Sequence, residues 1–180
     1  VKQTPSGLRY TVVSAGHGQE AATGSTVKLH YAQYLQDSLM HSTYEVMPVY
    51  KALIPGTIFP YDPFEVLTTG VRAGDSIEVE LTLDSLLKKE RIKAIPPHLR
   101  PEDKLLTRMK VLEVFPFDIM RSGMQDSLLN ADKEAERKRV NERQTILGPQ
   151  RIEAFIRQNN LTAPVTPYGT YLQLLEEGTG

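Results

Sequence analysis

A short pattern occurs twice, near the two ends of the chain. Thr4, Pro5, Gly7, Gly16 and Gly18 fall in register with Thr166, Pro167, Gly169, Gly178 and Gly180. Between the glycines each copy carries an apolar, strand-like stretch: Leu8, Tyr10, Val12 and Val13 in one, Tyr171, Leu172, Leu174 and Leu175 in the other. Thr-Pro and Gly-x-Gly turns are common chemistry, so chance recurrence is the competing reading. Their shared register favours a repeated structural unit. The expected organisation is a domain over residues 1–117, a helical linker over 118–160, and the first strand of a second, truncated repeat over 161–180.

The middle of the chain separates the two copies. Residues 131–143 are good helix formers with interleaved opposite charges, such as Glu134 four residues before Lys138. Met124, Leu128 and Leu129 add apolar surface near the start. Gly148-Pro149 is expected to break this helix, with Pro149 opening a second one. In that second helix Ile152, Phe155 and Ile156 form an apolar stripe, and Asn159-Asn160 end it. A spacer or dimerisation surface is the expected role, including a homodimer through the linker.

The first domain reads as strands and one short helix. Val27, Leu29 and Tyr31 alternate with Thr26, Lys28 and His30, the mark of a half-buried strand. A turn is expected at Gln36-Asp37-Ser38. Val49 to Ile54 is a second apolar stretch, closed by Pro55-Gly56. Phe64 to Thr69, bracketed by Pro63 and Gly70, predicts a short helix with Phe64, Leu67 and Val71 on one side. Ile77, Val79, Leu81 and Leu83 alternate with polar residues in the clearest strand. A last strand runs from Leu105 to Phe115, with Leu105, Thr107, Met109, Val111 and Glu113 facing one way. Strands do not alternate with long helices, so a mostly antiparallel α+β fold is favoured over a doubly wound sheet.

Composition narrows the chemistry. The formal net charge of −1 over 180 residues gives no electrostatic reason to expect a nucleic acid or an anionic membrane as partner. No apolar run approaches the roughly 20 residues that span a bilayer, so the chain is expected to be soluble. Cysteine is absent, which removes disulfides, thiolate nucleophiles and Cys-ligated zinc. The four histidines are scattered, with no H-x-x-H spacing, so no metal site and no cofactor are expected. Gly16-His17-Gly18 has no following helix and does not read as a phosphate loop. Ser38 and Ser42 have no paired base and acid. The basic run Arg137-Lys138-Arg139 is balanced by Glu134, Glu136 and Glu142 and reads as a solvated helix face.

In four stretches, in order, the chain resembles the FKBP family of peptidyl-prolyl isomerases. These are TPSGLRYTVVSAGHG, GSTVKLHYAQYLQDS, FEVLTTGVRAGDSIEVEL and IPPHLRPEDKLLTRMKVLEVF, and together they span about residues 4–115. The resemblance implies a curved antiparallel sheet packed on one short helix, in agreement with the reading of the residues. It also implies cis-trans isomerisation of the bond preceding proline. No nucleophile or metal is needed, because an apolar, aromatic-lined pocket favours the twisted amide over the planar one. Partners are then unfolded or Pro-containing polypeptides. Bacterial members with this start and a helical arm tend to be exported. The start at Val1 rather than Met adds the expectation that a leader has been removed. The resemblance thus implies the bacterial periplasm or cell envelope, with a lipid anchor on the full-length form as one version.

Carried over position by position, the family's pocket is thinned. Tyr31 holds the place of the pocket tyrosine after His30. Met40, His41, Ser42 and Thr43 stand for the family's F-D-S-S run, so His41 replaces the acid and Met40 keeps an apolar wall. Tyr50 replaces an aromatic on the next strand. Pro60, Tyr61, Asp62, Pro63 and Phe64 stand for V-I-x-G-W, with Phe64 in place of the indole floor. Leu87 replaces a tyrosine that donates to the ligand, and Thr107 replaces a closing-strand aromatic. Ile95-Pro96-Pro97-His98 keeps the proline loop. Tyr31, Phe64 and Tyr50 are thus the implied catalytic residues. Met40, His41, Tyr61, Leu87, Ile95 and Thr107 are the implied substrate-binding residues. Two functions stand side by side: a weakened isomerase that assists folding, and a non-catalytic chaperone or assembly module that binds extended polypeptide.

Overall fold

A computed structural model describes residues 1–44 and 46–172. Its centre is one antiparallel sheet. The strands are β1 (Lys2–Gln3), β2 (Arg9–Ser14), β3 (Thr26–Leu35), β4 (Ser38–Ser42), β5 (Val49–Ala52), β6 (Ser76–Thr82) and β7 (Lys104–Phe115). Their order is β1-β2-β6-β7-β3-β4, and β5 pairs β3 beside β4. A 3₁₀ helix covers Pro63–Thr69, α1 covers Leu83–Lys88, and α2 covers Gln125–Gln158.

The period-two alternation decides which face is inside. Val27 and Leu29 on β3, Ile77, Val79 and Leu81 on β6, and Thr107, Met109 and Val111 on β7 are all buried. They pack against Val66 and Leu67 of the 3₁₀ helix, both fully buried. Burying one such leucine contributes about 1.5–3 kcal/mol, so the helix is held chiefly by this face. Asp62 caps it by accepting the Phe64 N–H at 2.9 Å, Pro63 opens it, and Gly70 closes it in the left-handed region at φ 80°.

Asp75 organises the turn before β6. Its carboxylate accepts the N–H groups of Gly16 and Arg72, both at 2.7 Å. A side chain at Gly16 would meet the Ala73 carbonyl oxygen at 2.2 Å, so only glycine fits there. That explains the first glycine of the Gly-x-Gly turn at residues 16–18.

Four expectations need correction. The strand through Ile77 ends at Thr82, because the Thr82 side chain accepts the Ser85 N–H and caps α1, which takes Leu83. Glu113 does not face with Val111: a bulge opposite Lys28 and Leu29 slips the phase, leaving Leu112 and Glu113 exposed and Val114 buried. Ser38 belongs to β4 rather than to the turn, which is the two-residue link Gln36-Asp37 with Gln36 at φ 54°. Gly148-Pro149 does not break the linker helix, since α2 runs through it. Pro149 removes one backbone donor and crowds the Thr145 carbonyl, a cost of about 3 kcal/mol that the helix carries without ending there.

By contact density the chain divides into residues 1–136 and 137–180. In the first unit, Thr4 donates its N–H to the Leu8 carbonyl at 2.9 Å. Gly7 donates to the Thr4 carbonyl at 2.9 Å, and the Leu8 N–H reaches Thr4 Oγ1 at 3.2 Å. In the second, Thr166 donates to the Thr170 carbonyl at 2.7 Å. Gly169 donates to Thr166 at 2.9 Å, and the Thr170 N–H reaches Thr166 Oγ1 at 3.2 Å. Gly7 and Gly169 are both left-handed, at φ 88° and 77°. The two sequence copies therefore form the same turn. Leu174, Leu175, Gly178 and Gly180 lie outside the described residues. In the second unit α2 ends at a left-handed Asn160, with the Leu161 N–H returning to the Ile156 carbonyl at 3.0 Å.

Candidate functional site

Strand β3 carries Tyr31 on the inner face of the sheet, two residues beyond buried Leu29. Its ring meets the Phe64 ring edge-on at 5.0 Å between centroids and 87° between planes. His41 of β4 lies on the other side of Tyr31, with ring centroids 5.2 Å apart. Lys51 of β5 sits over the Phe64 ring at 4.4 Å. Four side chains from three strands and the 3₁₀ helix thus converge.

Tyr31 is fixed by Thr43. The Thr43 hydroxyl accepts the Tyr31 N–H at 2.9 Å, and the Thr43 N–H donates to the Tyr31 carbonyl at 2.9 Å. The same Oγ1 lies 3.1 Å from His30 Nδ1. Thr43 is buried, so its side chain replaces a missing ladder bond just beyond the end of β4. Within the described residues the Tyr31 hydroxyl makes no hydrogen bond, and burial, followed by the Asp62 charge, pushes its pKa up. It stays protonated at neutral pH and is available as a donor.

The floor loop is tied by Glu65. That buried carboxylate accepts the Tyr61 N–H at 2.8 Å, the Ser6 N–H at 3.1 Å and the Ser6 hydroxyl. Burial alone pushes the Glu65 pKa up, but these hydrogen bonds outweigh it and hold it below the ordinary range. The same contacts hold Tyr61 at φ 58°, a left-handed conformation that a tyrosine rarely adopts. Neither Thr43 nor Glu65 was singled out from sequence. The signal for Glu65 was an acidic residue in an otherwise apolar short helix.

The other expected residues separate by position. Thr107 is fully buried on β7 and pairs with Gln33, which in turn pairs with His41. His41, Gln33 and Thr107 therefore form one row across three strands beside Tyr31. Ile95 packs, half-buried, against the same core. Tyr61 packs against that core too, with Lys89 over its ring at 5.2 Å. Met40 is the bulged residue of β4 and is 62% exposed, so it forms no wall beside Tyr31. Leu87 is exposed on α1, next to buried Leu86.

Tyr50 is not brought to this cluster. It pairs with Lys28, whose parity is opposite to that of Val27 and Leu29, so it lies on the outer face. There its hydroxyl donates to Asp132 of α2 at 2.5 Å, and Lys28 Nζ reaches the same carboxylate at 2.6 Å. Burial, that hydrogen bond, and the Asp132 and Glu113 charges all push its pKa up. Tyr50 thus ties β5 to α2 on the face opposite Tyr31.

Among the described residues no three His, Asp or Glu side chains are grouped as a metal would need, and no helix is long and apolar enough to cross a membrane. No protein-family model and no curated protein matches the chain. It is similar to the solved structure of FkpA from Escherichia coli, at 23% identity and TM-score 0.44, over 65% of this chain and 52% of that one. The chain thus spans about half the length of FkpA. It is also similar to AtFKBP13, at 19% identity and TM-score 0.45, over 62% of this chain and 95% of that one. The fold itself is an antiparallel sheet packed on one short helix, an α+β arrangement of the kind that the sequence resemblance implies.

Proposed function

We propose that the chain is an FKBP-type peptidyl-prolyl cis-trans isomerase of weakened activity that assists protein folding. The observation that carries this reading is the Tyr31–Phe64 pair, with a protonated Tyr31 hydroxyl that no neighbour uses among the described residues. The barrier about the bond before proline is roughly 18–20 kcal/mol because rotation breaks the amide conjugation, and it falls when a site binds the twisted amide better than the planar one. Phe64 and the Tyr31 ring offer apolar faces to the proline and withhold water from the imide. The Tyr31 hydroxyl donates to the substrate carbonyl and helps hold the twisted form. Weakness follows from what is missing: Leu87 cannot donate, and His41 is not an acid.

Two-dimensional exchange NMR on a short Pro-containing peptide tests this reading. The expected result is cis-trans exchange faster than the uncatalysed process and slower than with a typical family member. Exchange as fast as with a typical member would remove the weakened part, and no acceleration at all would remove the isomerase.

A second reading, a non-catalytic polypeptide-binding module, is supported by exposed Leu39, Met40, Tyr44 and Val46 on β4 and the turn after it. Suppression of aggregation of an unrelated unfolded protein, lost on Leu39→Ser with Met40→Ser, tests it. The repeated Thr-Pro-x-Gly turn supports tandem organisation. Exposed Ile146, Ile152 and Phe155 of α2 support a homodimer, with sedimentation as its test. The envelope location rests on the resemblance alone.

A further inference from the structure

Every aromatic ring of the loop from Phe59 to Phe64 carries a cation. Lys51 Nζ lies 4.4 Å from the centre of the Phe64 ring, Lys89 Nζ 5.2 Å from Tyr61, and the Arg91 guanidinium carbon 5.3 Å from Phe59. These bases come from two separate places, β5 and the segment after α1. The last residue of α1 and that segment, Lys88-Lys89-Glu90-Arg91-Ile92-Lys93, hold four basic side chains against one acidic. Its charged side chains are exposed, and Glu90 stands at φ 55°.

Of the acidic side chains beside the rings, Asp62 and Glu65 are already occupied. Asp62 spends one oxygen on the Phe64 N–H and the other on Arg91 at 3.4 Å. Glu65 is buried among Ser6 and Tyr61 donors. Lys88 is paired with Asp84 at 2.7 Å. Lys51, Lys89 and Lys93 form no ion pair within the described residues. An aromatic face satisfies an ammonium only in part and leaves its outer hydrogens open to an acceptor.

Resting on the isomerase reading, we propose that the site selects proline segments with an acidic side chain next to the proline. The carboxylate pairs with Lys51 above Phe64, and Lys89 over Tyr61 adds to the positive field. A purely apolar site would treat a glutamate as a desolvation cost. Here the cation beside the floor reverses that preference. The preference is electrostatic and partly exposed, so it weakens with salt as the Debye length shrinks.

The test uses three peptides identical except for Glu, Gln or Lys immediately before proline. Binding and exchange are measured by NMR at low and high salt. The expected result is a preference of roughly threefold to fivefold for Glu over Gln, a disadvantage for Lys, and convergence of all three at high salt. Lys51→Met brings the Glu/Gln ratio towards one, whereas Lys51→Arg keeps it. Equal handling of Glu and Gln by the unaltered protein, or a ratio unmoved by Lys51→Met, overturns the inference and leaves the isomerase reading standing. If no peptide binds or is turned over, that reading fails, and the selectivity fails with it.

Discussion

Tyr31 and Phe64 meet edge to face, 5.0 Å between ring centres, and join strand β3 to the 3₁₀ helix. An aromatic pair of this geometry contributes about 0.5–1.5 kcal/mol beyond its buried area. The contact uses the Tyr31 ring and, among the described residues, leaves its hydroxyl unengaged, so packing and donation are separable in one residue.

Tyr31→Phe makes that separation measurable. The ring contact survives, so the urea midpoint stays near that of the unaltered protein. The hydroxyl is gone, and a transition-state hydrogen bond of about 1.5–3 kcal/mol goes with it, which lowers turnover roughly tenfold to hundredfold. A fall in stability without a fall in turnover contradicts the assignment.

Thr43 acts on Tyr31 through the backbone. Thr43→Val keeps the shape and removes the hydroxyl, which orphans the Tyr31 N–H at 2.9 Å and the contact to His30. The expected cost is about 1–3 kcal/mol in urea unfolding, since a buried donor is left without an acceptor. Thr43→Ser restores most of it. A neutral Thr43→Val would mean that the strand end closes by its backbone alone.

Glu65 links the floor loop to acid stability. Its folded pKa is depressed, so its contribution is complete above the unfolded value of about 4.3 and is lost as pH falls through the lower folded value. Glu65→Gln places an amide among donors that need an acceptor. It costs roughly 1.5–3 kcal/mol at neutral pH and flattens the stability profile on the acid side. Urea unfolding across that pH range, with and without the substitution, reads both effects.

Tyr50 and Lys28 converge on Asp132 on the outer face. Asp132→Ala leaves a mostly buried lysine unpaired and is expected to cost about 2 kcal/mol, whereas Tyr50→Phe costs about 1 kcal/mol. Neither changes turnover, because neither side chain lies on the inner face. A loss of isomerase activity in Tyr50→Phe at full stability would return Tyr50 to the site.

What the residues disclosed in advance follows physical lines. Strands β3, β6 and β7 were legible because their apolar residues alternate against one buried face. The short helix was legible from Pro63 and Gly70 at its ends. Strand β4 was not, because it lies mostly exposed at the sheet edge and carries no apolar alternation. Helix α1 hid behind a continuing alternation that the Thr82 cap cuts short. Tyr31 and Phe64 were named from sequence and are in contact. Tyr50 was misplaced because resemblance gives a strand but not its face, which only the pairing with Lys28 fixes. The roles of Thr43 and Glu65 were not foreseen because both hold backbone, a role that depends on neighbours distant in sequence.

The most direct measurement is the cis-trans exchange rate of a Pro-containing peptide with the unaltered protein and with Tyr31→Phe, at equal folded concentration. The account predicts modest acceleration that largely vanishes with the substitution. Equal acceleration by both proteins, or none by either, would contradict it.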